Sequence, residues 1–242
     1  MVELYTLNSI IRRRMLDYKI IIIRRGLMKT GLSLGLFLMV ALIGGCASLQ
    51  VSTDFQAGRN ALITGKSEVA LSYFQSVAEK DPNYRYGTAY RQGVLSYLGR
   101  AEYAVGQLPQ AQKTLERALA ANRDEDLARV YLGLVLARSG ERQRGVSEIE
   151  NGMKGIYGFL EYVTEAHRFS FGRFWDPARA IRSAIQSDLA MISRREFDVE
   201  RLIVSAEAIG KQMEDEVDRA RQDETRELSR QNDGGSSGGG QP

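Results

Sequence analysis

A pattern of small residues and glycines recurs three times in the first two thirds of the chain. Each copy starts at a glycine, has a second glycine seven residues later, a small residue after twelve and a large apolar residue after sixteen. The copies start at Gly58, Gly99 and Gly133, and the last two starts are 34 residues apart. A fixed period of this length indicates a fold that stacks one supersecondary unit on the next. The alternative is an ordinary helical bundle whose spacings agree by chance.

The pattern resembles the tetratricopeptide repeat (TPR), a pair of helices that pack closely through small residues. Leu98-Gly99 and Leu132-Gly133 match the family's Leu-Gly pair on the first helix of a unit. The second glycine of each copy falls at the turn, where left-handed backbone favours this residue. These turn glycines are Gly65, Gly106 and Gly140. Asp81-Pro82 ends the first unit, because proline cannot continue a helix.

The resemblance predicts an all-α fold, a short TPR-type solenoid of helical hairpins with about three repeats. The units are residues 51–84, 92–125 and 126–159. The chain departs from the family where a tyrosine is usual late in the first helix; Ala61, Glu102 and Leu136 stand there. Seven extra residues around Asn83 to Arg91 are expected to extend a helix or a loop between the first two units.

The remainder of the chain does not repeat the pattern. We predict that residues 160–210 form a helical C-terminal cap, because a solenoid needs its last apolar face covered. Asp176-Pro177 predicts a helix start, with Asp as N-cap and Pro at the first helical position. A further helix is expected from about Asp198, with apolar residues spaced by three and four as far as Ala220.

Beyond Lys211 the sequence becomes very polar. Residues 211–230 are predicted to form a charged helix that projects into solvent, with acids and arginines paired at helical spacing. Residues 231–242 are rich in glycine and serine. This composition predicts a disordered tail.

An apolar run without charges lies between Thr30 and Gly45, preceded by basic residues. It is shorter than the roughly 20 residues that a membrane-spanning helix needs. Basic residues, a short apolar run and small residues at its end are the marks of a secretory signal peptide. The sequence therefore predicts a leader over residues 1–45, of which 1–27 read as an upstream extension from a misassigned start.

Leu42-Ile43-Gly44-Gly45-Cys46 resembles the lipobox of bacterial lipoproteins. The resemblance implies a diacylglyceryl group on the Cys46 thiol, cleavage before this residue and an N-acyl group on the new amine. Ala47 follows the cysteine, which by resemblance to enterobacterial sorting favours the outer membrane, facing the periplasm. The alternative is an uncleaved signal anchor with an inert cysteine.

The net charge of +3 overstates how basic the mature protein is. Residues 1–45 contain seven of the 33 lysines and arginines and two of the 30 acids, so 26 basic and 28 acidic residues remain. The mature part thus has a net charge of about −2, which does not predict a basic surface of the kind that binds nucleic acid. Membrane contact is expected only through the lipid.

No catalytic motif is recognisable. His167 is the only histidine and Cys46 the only cysteine, which excludes a histidine metal cluster. No glycine-rich phosphate loop with the Lys-Ser/Thr pair is present. We therefore predict no enzyme, no metal and no cofactor beyond the lipid on Cys46.

The resemblance implies a groove that binds a peptide or another envelope protein. Arginines and aromatic residues suit such recognition. The candidate partner-binding residues are Phe55, Arg59, Ser96, Arg100, Tyr103, Arg138 and, if exposed on a loop, Trp175. The predicted function is a non-catalytic interaction scaffold or assembly adaptor. The alternatives are a ligand-binding accessory lipoprotein of a solute transport system and, as the weakest, a cell-wall-active enzyme.

Overall fold

The computed structural model describes residues 49–194 and 197–235. The leader, Cys46 and residues 236–242 lie outside the described part, and so do the predictions made for them. Chain contacts divide the molecule into two units, Met1–Ser52 and Thr53–Pro242. Of the first unit, residues 49–52 are described, and they are helical. Helix α1 begins in the first unit, and every contact described below is between residues of the second unit.

The described residues are mostly helical, which confirms the all-α prediction. In chain order the elements are α1 (residues 49–63), α2 (Ser67–Lys80), β1 (Arg85–Tyr86), β2 (Gln92–Gly93), α3 (Val94–Ala104), α4 (Leu108–Ala121), α5 (Asp126–Arg138), α6 (Arg142–Ala166), a 3-10 helix (Phe171–Phe174), α7 (Ala180–Ile192) and α8 (Val199–Gly235). Among these residues, no helix is both long enough and apolar enough to cross a membrane.

Three helical hairpins follow one another: α1 with α2, α3 with α4, and α5 with α6. Each turn contains a glycine with positive φ, +75° at Gly65, +79° at Gly106 and +95° at Gly140. This left-handed backbone strains any residue with a Cβ. The predicted turn positions are therefore confirmed.

Close approach between the two helices of a hairpin depends on a second set of glycines. A Cβ placed on Gly99 would lie 2.5 Å from Leu115 Cγ. On Gly133 it would lie 2.6 Å from the backbone nitrogen of Ile149. These distances are shorter than any normal contact, so the helix pairs reach their spacing because the side chain is absent. Leu115 and its neighbours then join α3, α4 and α5 into one apolar core.

The segment between the first two hairpins is a loop with two short strands, not a helix extension. β1 and β2 pair in antiparallel register, with Arg85 opposite Gly93 and Tyr86 opposite Gln92. The strands bring the buried Tyr86 and Gln92 side chains to the first helices of the hairpins.

Helix α6 continues through the predicted unit boundary at residue 159 and ends only at Ala166. Its glycines allow a close approach to the start of α5. A Cβ on Gly152 would lie 2.7 Å from the Asp126 carbonyl oxygen. Packing against α5 thus maintains a helix that the local sequence, rich in glycine, does not favour.

The start of α7 also differs from prediction, since the helix begins at Ala180 rather than at Pro177. The Asp176 carboxylate still receives hydrogen bonds from the backbone nitrogens of Ile181 and Arg182, each at 3.1 Å. Asp176 has φ +42°, so the chain turns sharply before the helix. The prediction for α8 is closer, because Asp198 caps its first turn through Glu200 N at 2.9 Å.

The prediction that residues 211–230 project into solvent is wrong for 211–220, whereas the side chains described between 221 and 230 are exposed or half-buried. Helix α8 packs against α5, α7 and the 3-10 helix, is joined to α3 by hydrogen bonds from Tyr97 and Arg100, and contains buried residues in its polar half. These are Met213, Glu214, Glu216, Val217 and Ala220. The helix also remains continuous through the predicted boundaries at 210 and 230 to Gly235. It lies against the face made by the first helices of the hairpins, α1, α3 and α5, which we call the inner face.

Candidate functional site

The carboxylate of Glu214 on α8 lies at the centre of the inner face. Its Oε2 accepts hydrogen bonds from Arg59 Nη2 at 2.7 Å and from the Tyr97 hydroxyl at 3.1 Å. Its Oε1 accepts from Arg100 Nη1 at 2.6 Å and from Gln92 Nε2 at 3.0 Å. Both carboxylate oxygens are thus fully matched by donors from α1, α3 and β2.

Burial alone raises the pKa of Glu214, but the charges and hydrogen bonds of Arg100 and Arg59 outweigh it and lower the pKa to about 2. The carboxylate is therefore ionised at neutral pH. A carboxylate held in this way is a poor general acid or base, because catalysis needs a pKa near the working pH. The cluster is suited to holding α8 in place rather than to proton transfer.

Aromatic rings complete the surroundings of the two arginines. The Arg59 guanidinium lies 4.3 Å from the centre of the Tyr86 ring. The Arg100 guanidinium lies 4.9 Å from the rings of both Tyr97 and Tyr131. Such cation–π contacts contribute more where water is excluded. Aromatic rings of the inner face therefore contact the guanidinium groups of Arg59 and Arg100, whose N–H groups donate hydrogen bonds to Glu214 of α8.

A second polar cluster lies one turn further along the inner face and is more exposed. The Tyr103 hydroxyl donates to Glu207 of α8 and accepts from Arg138 Nε at 2.5 Å. Arg138 Nη2 donates to the same Glu207 carboxylate at 2.7 Å. Burial and the Glu207 carboxylate raise the pKa of Tyr103, so the phenol stays protonated and remains a donor.

Between these two clusters is an open cavity of about 560 Å³. Its polar wall includes Arg100, Tyr103, Tyr131 and Arg138 from the inner face. Glu207, Lys211 and Glu214 contribute from α8, and Leu62, Ile63 and Leu108 form an apolar wall. This cavity is the part of the inner face that α8 leaves open.

The structure brings six of the seven predicted partner-binding residues to this face but buries most of them. Phe55, Arg59, Ser96 and Arg100 are buried. Phe55 belongs to an aromatic core with Phe74, Tyr84, Tyr86 and Tyr97. Tyr103 and Arg138 line the open cavity and remain accessible. The expected groove is thus largely filled by the chain's own helix.

Trp175 lies elsewhere and is 2% exposed, so it offers no partner surface. Its ring packs edge-on against Phe159 at 5.1 Å between centroids. Aromatic residues nearby are the exposed ones, with Phe169 at 85% and Tyr162 at 66% exposure. Phe169, Phe171 and Phe174 line a separate cavity of about 280 Å³.

Two groups of site residues are missing from the sequence prediction: Gln92, Tyr97 and Tyr131 on β2, α3 and α5, and Glu207, Lys211 and Glu214 on α8. The sequence predicts the α8 residues in a cap or in a solvated helix. One signal was available: the apolar spacing from Leu202 continues unbroken to Ala220. A stripe of that length predicts packing over the whole segment.

The two clusters and the cavity are suited to binding, through fixed donors beside an apolar wall. Among the residues described, no three histidine, cysteine or acidic side chains are grouped so as to hold a metal ion. His167, the only histidine, stacks on Phe171 at 4.3 Å between centroids. The chain matches no protein-family model and no curated protein.

Proposed function

We propose that the protein is a lipid-anchored, non-catalytic TPR-type scaffold of the bacterial envelope that holds another protein against its inner face. The observation that carries the proposal is the repeated hairpin geometry. Three turns have glycine at φ +75°, +79° and +95°, and glycine contacts at equal offsets join the helices of each pair. Stacked hairpins of this kind present one continuous surface, which suits protein recognition better than a single reactive centre.

The open end of the inner face supplies a surface for such recognition. Tyr103 and Arg138 are reachable there, and Lys211 is exposed. Tyrosine and arginine are enriched among the residues that dominate binding energy at protein interfaces. A partner protein would therefore bind beside α8 and would not displace it.

The anchor is proposed from the sequence at Cys46. Two or more acyl chains give stable membrane attachment, since each buried methylene contributes about 0.8 kcal/mol. We place the domain in the periplasm, attached to the outer membrane. Labelled fatty acid should enter the wild-type chain and not Cys46→Ser; equal labelling of both would contradict the anchor and leave the scaffold proposal standing.

Site-specific photo-crosslinking in cells tests the scaffold. A photoreactive residue at position 211, on the cavity rim, should give one discrete crosslinked protein. The same residue at Lys113, exposed on α4, should not, because α4 is the second helix of its hairpin and Lys113 does not line the inner-face cavity. No product at 211, or the same products at both positions, would count against the inner face as a partner surface.

A second candidate function is a ligand-binding accessory lipoprotein of a transport system. The cavity of about 560 Å³ favours it. Small-molecule sites in proteins have volumes of roughly 300–1,000 Å³ with a mainly apolar lining and a few polar groups. The aromatic residues between 159 and 175 do not line this cavity.

A further inference from the structure

We propose that the open cavity of the inner face binds a small organic anion, an acidic head group carried on an apolar body. This inference rests on the second candidate function and deepens it by naming the class of ligand. It does not depend on the lipid anchor.

The first argument is charge. Three cationic side chains line the cavity, Arg100, Arg138 and Lys211, against the two carboxylates of Glu207 and Glu214. Glu214 is already matched by Arg59, Gln92 and Tyr97 as well as by Arg100. The lining therefore holds more positive charge than its own carboxylates need, and an anion would balance it.

The second argument is unused hydrogen-bonding capacity. Lys211 makes no ion pair with any carboxylate that the structure describes, although Glu207 and Asp215 lie one turn away on the same helix. Arg100 is 2% exposed and its Nη1 is already paired with Glu214, so the free hydrogen-bonding capacity of the lining is at Lys211.

The third argument is the apolar part of the lining. Leu62 and Ile63 at the end of α1 line the same cavity as the cations, and so do Ala104 and Leu108 on either side of the turn between α3 and α4. An ion without an apolar part would leave this surface in contact with water. Burying an apolar body there gains roughly 25 cal/mol per Å². Head group and body therefore contribute separately, and each can be removed in turn.

The test uses the full chain purified in detergent and isothermal titration with 4-phenylbutyrate. Two probes dissect the ligand: 4-phenylbutanol keeps the body without the charge, and acetate keeps the charge without the body. We expect 4-phenylbutyrate to bind with one-to-one stoichiometry. The alcohol should bind at least about tenfold more weakly, since it lacks the charge-assisted hydrogen bonds, and acetate should bind more weakly still.

Two variants locate the site, with one control. Lys211→Gln should weaken 4-phenylbutyrate binding about tenfold, whereas Lys113→Gln on exposed α4 should leave it unchanged. Ala104→Trp should abolish binding by filling the cavity, because residue 104 lines the cavity and is exposed, so a larger side chain there displaces no core residue. Thermal melts of all three check that the fold is retained.

Equal binding of the acid and the alcohol would overturn the proposal, and so would no detectable binding of the acid. Unchanged binding in both Lys211→Gln and Ala104→Trp would also do so. The scaffold proposal fails independently: a crosslinked partner at position 211 with no binding of 4-phenylbutyrate would leave the scaffold and remove the anion site. Binding of 4-phenylbutyrate without any crosslinked partner would leave the anion site and remove the scaffold proposal.

Discussion

Two kinds of helix–helix interface, which we call seams, are built in opposite ways. The first seam joins the two helices of each hairpin, and the second joins α8 to the inner face. In the hairpins, helices approach through glycines, as where Gly133 meets the backbone of Ile149. On the inner face, an apolar stripe surrounds a buried carboxylate, Glu214, and two buried arginines. The first seam excludes side-chain atoms, and the second excludes water from charges. The first is therefore sensitive to added volume and the second to lost charge.

Replacing Glu214 should give the largest change in stability. Glu214→Gln leaves the buried charge of Arg100 without its carboxylate, and breaking a buried ion pair costs about 3–5 kcal/mol. Chemical denaturation of the full chain measures the free energy of unfolding. Asp215→Asn is the control, since this neighbour on α8 is exposed. A loss no larger than the control's would mean that the second seam is held by its apolar stripe alone.

Acid should remove the same contribution from the wild type. Because the folded pKa of Glu214 is lowered to about 2, below its ordinary value, its stabilisation is present above about pH 4.5 and is lost as the pH falls toward 2. The amount is about 3 kcal/mol, at about 1.4 kcal/mol for each pH unit between the two values. The difference between wild type and Glu214→Gln should therefore shrink from pH 7 to pH 3. A constant difference would assign the effect to packing.

Added volume should affect the hairpin seam next. Gly133→Ala places a Cβ within 2.7 Å of backbone and side-chain atoms of Gly145 and Ile149. Overpacking of this kind costs about 1–3 kcal/mol. Gly158→Ala on α6 meets nothing within 4 Å and should stabilise by about 0.5–1 kcal/mol through helix propensity. If both substitutions stabilised the protein, helix propensity rather than close approach would govern this seam.

The exposed cluster at Tyr103 should matter least for stability. Tyr103→Phe removes the hydroxyl that joins Arg138 to Glu207, at a half-exposed site. Exposed ionic contacts contribute about 1 kcal/mol or less. Tyr162→Phe, exposed on α6, serves as the matched control in the same denaturation measurement. A loss as large as that of Glu214→Gln would show that the two clusters act as one.

The hairpins were predictable because their determinants are local. A glycine at the turn and a small residue facing a large one recur within 20 residues, so Gly99 and Leu115 can be matched by spacing alone. The inner face was only half predictable. The sequence predicted that Arg59, Arg100 and Tyr103 lie on it. It did not predict which of these side chains are accessible to a partner, since nothing near them in the chain shows what covers them.

By itself, the sequence determined an all-α fold, the positions of three glycine turns and the capping of α8 by Asp198. Each depends on backbone conformation or capping within a few residues. Only the tertiary structure decided that residues in the polar half of α8 are buried against the inner face. An acidic helix is solvated unless donors from distant segments enclose it, and the partners of Glu214 lie 155 and 114 residues away at Arg59 and Arg100. The burial of a charge is decided by its partners, and those partners meet only when the chain has folded.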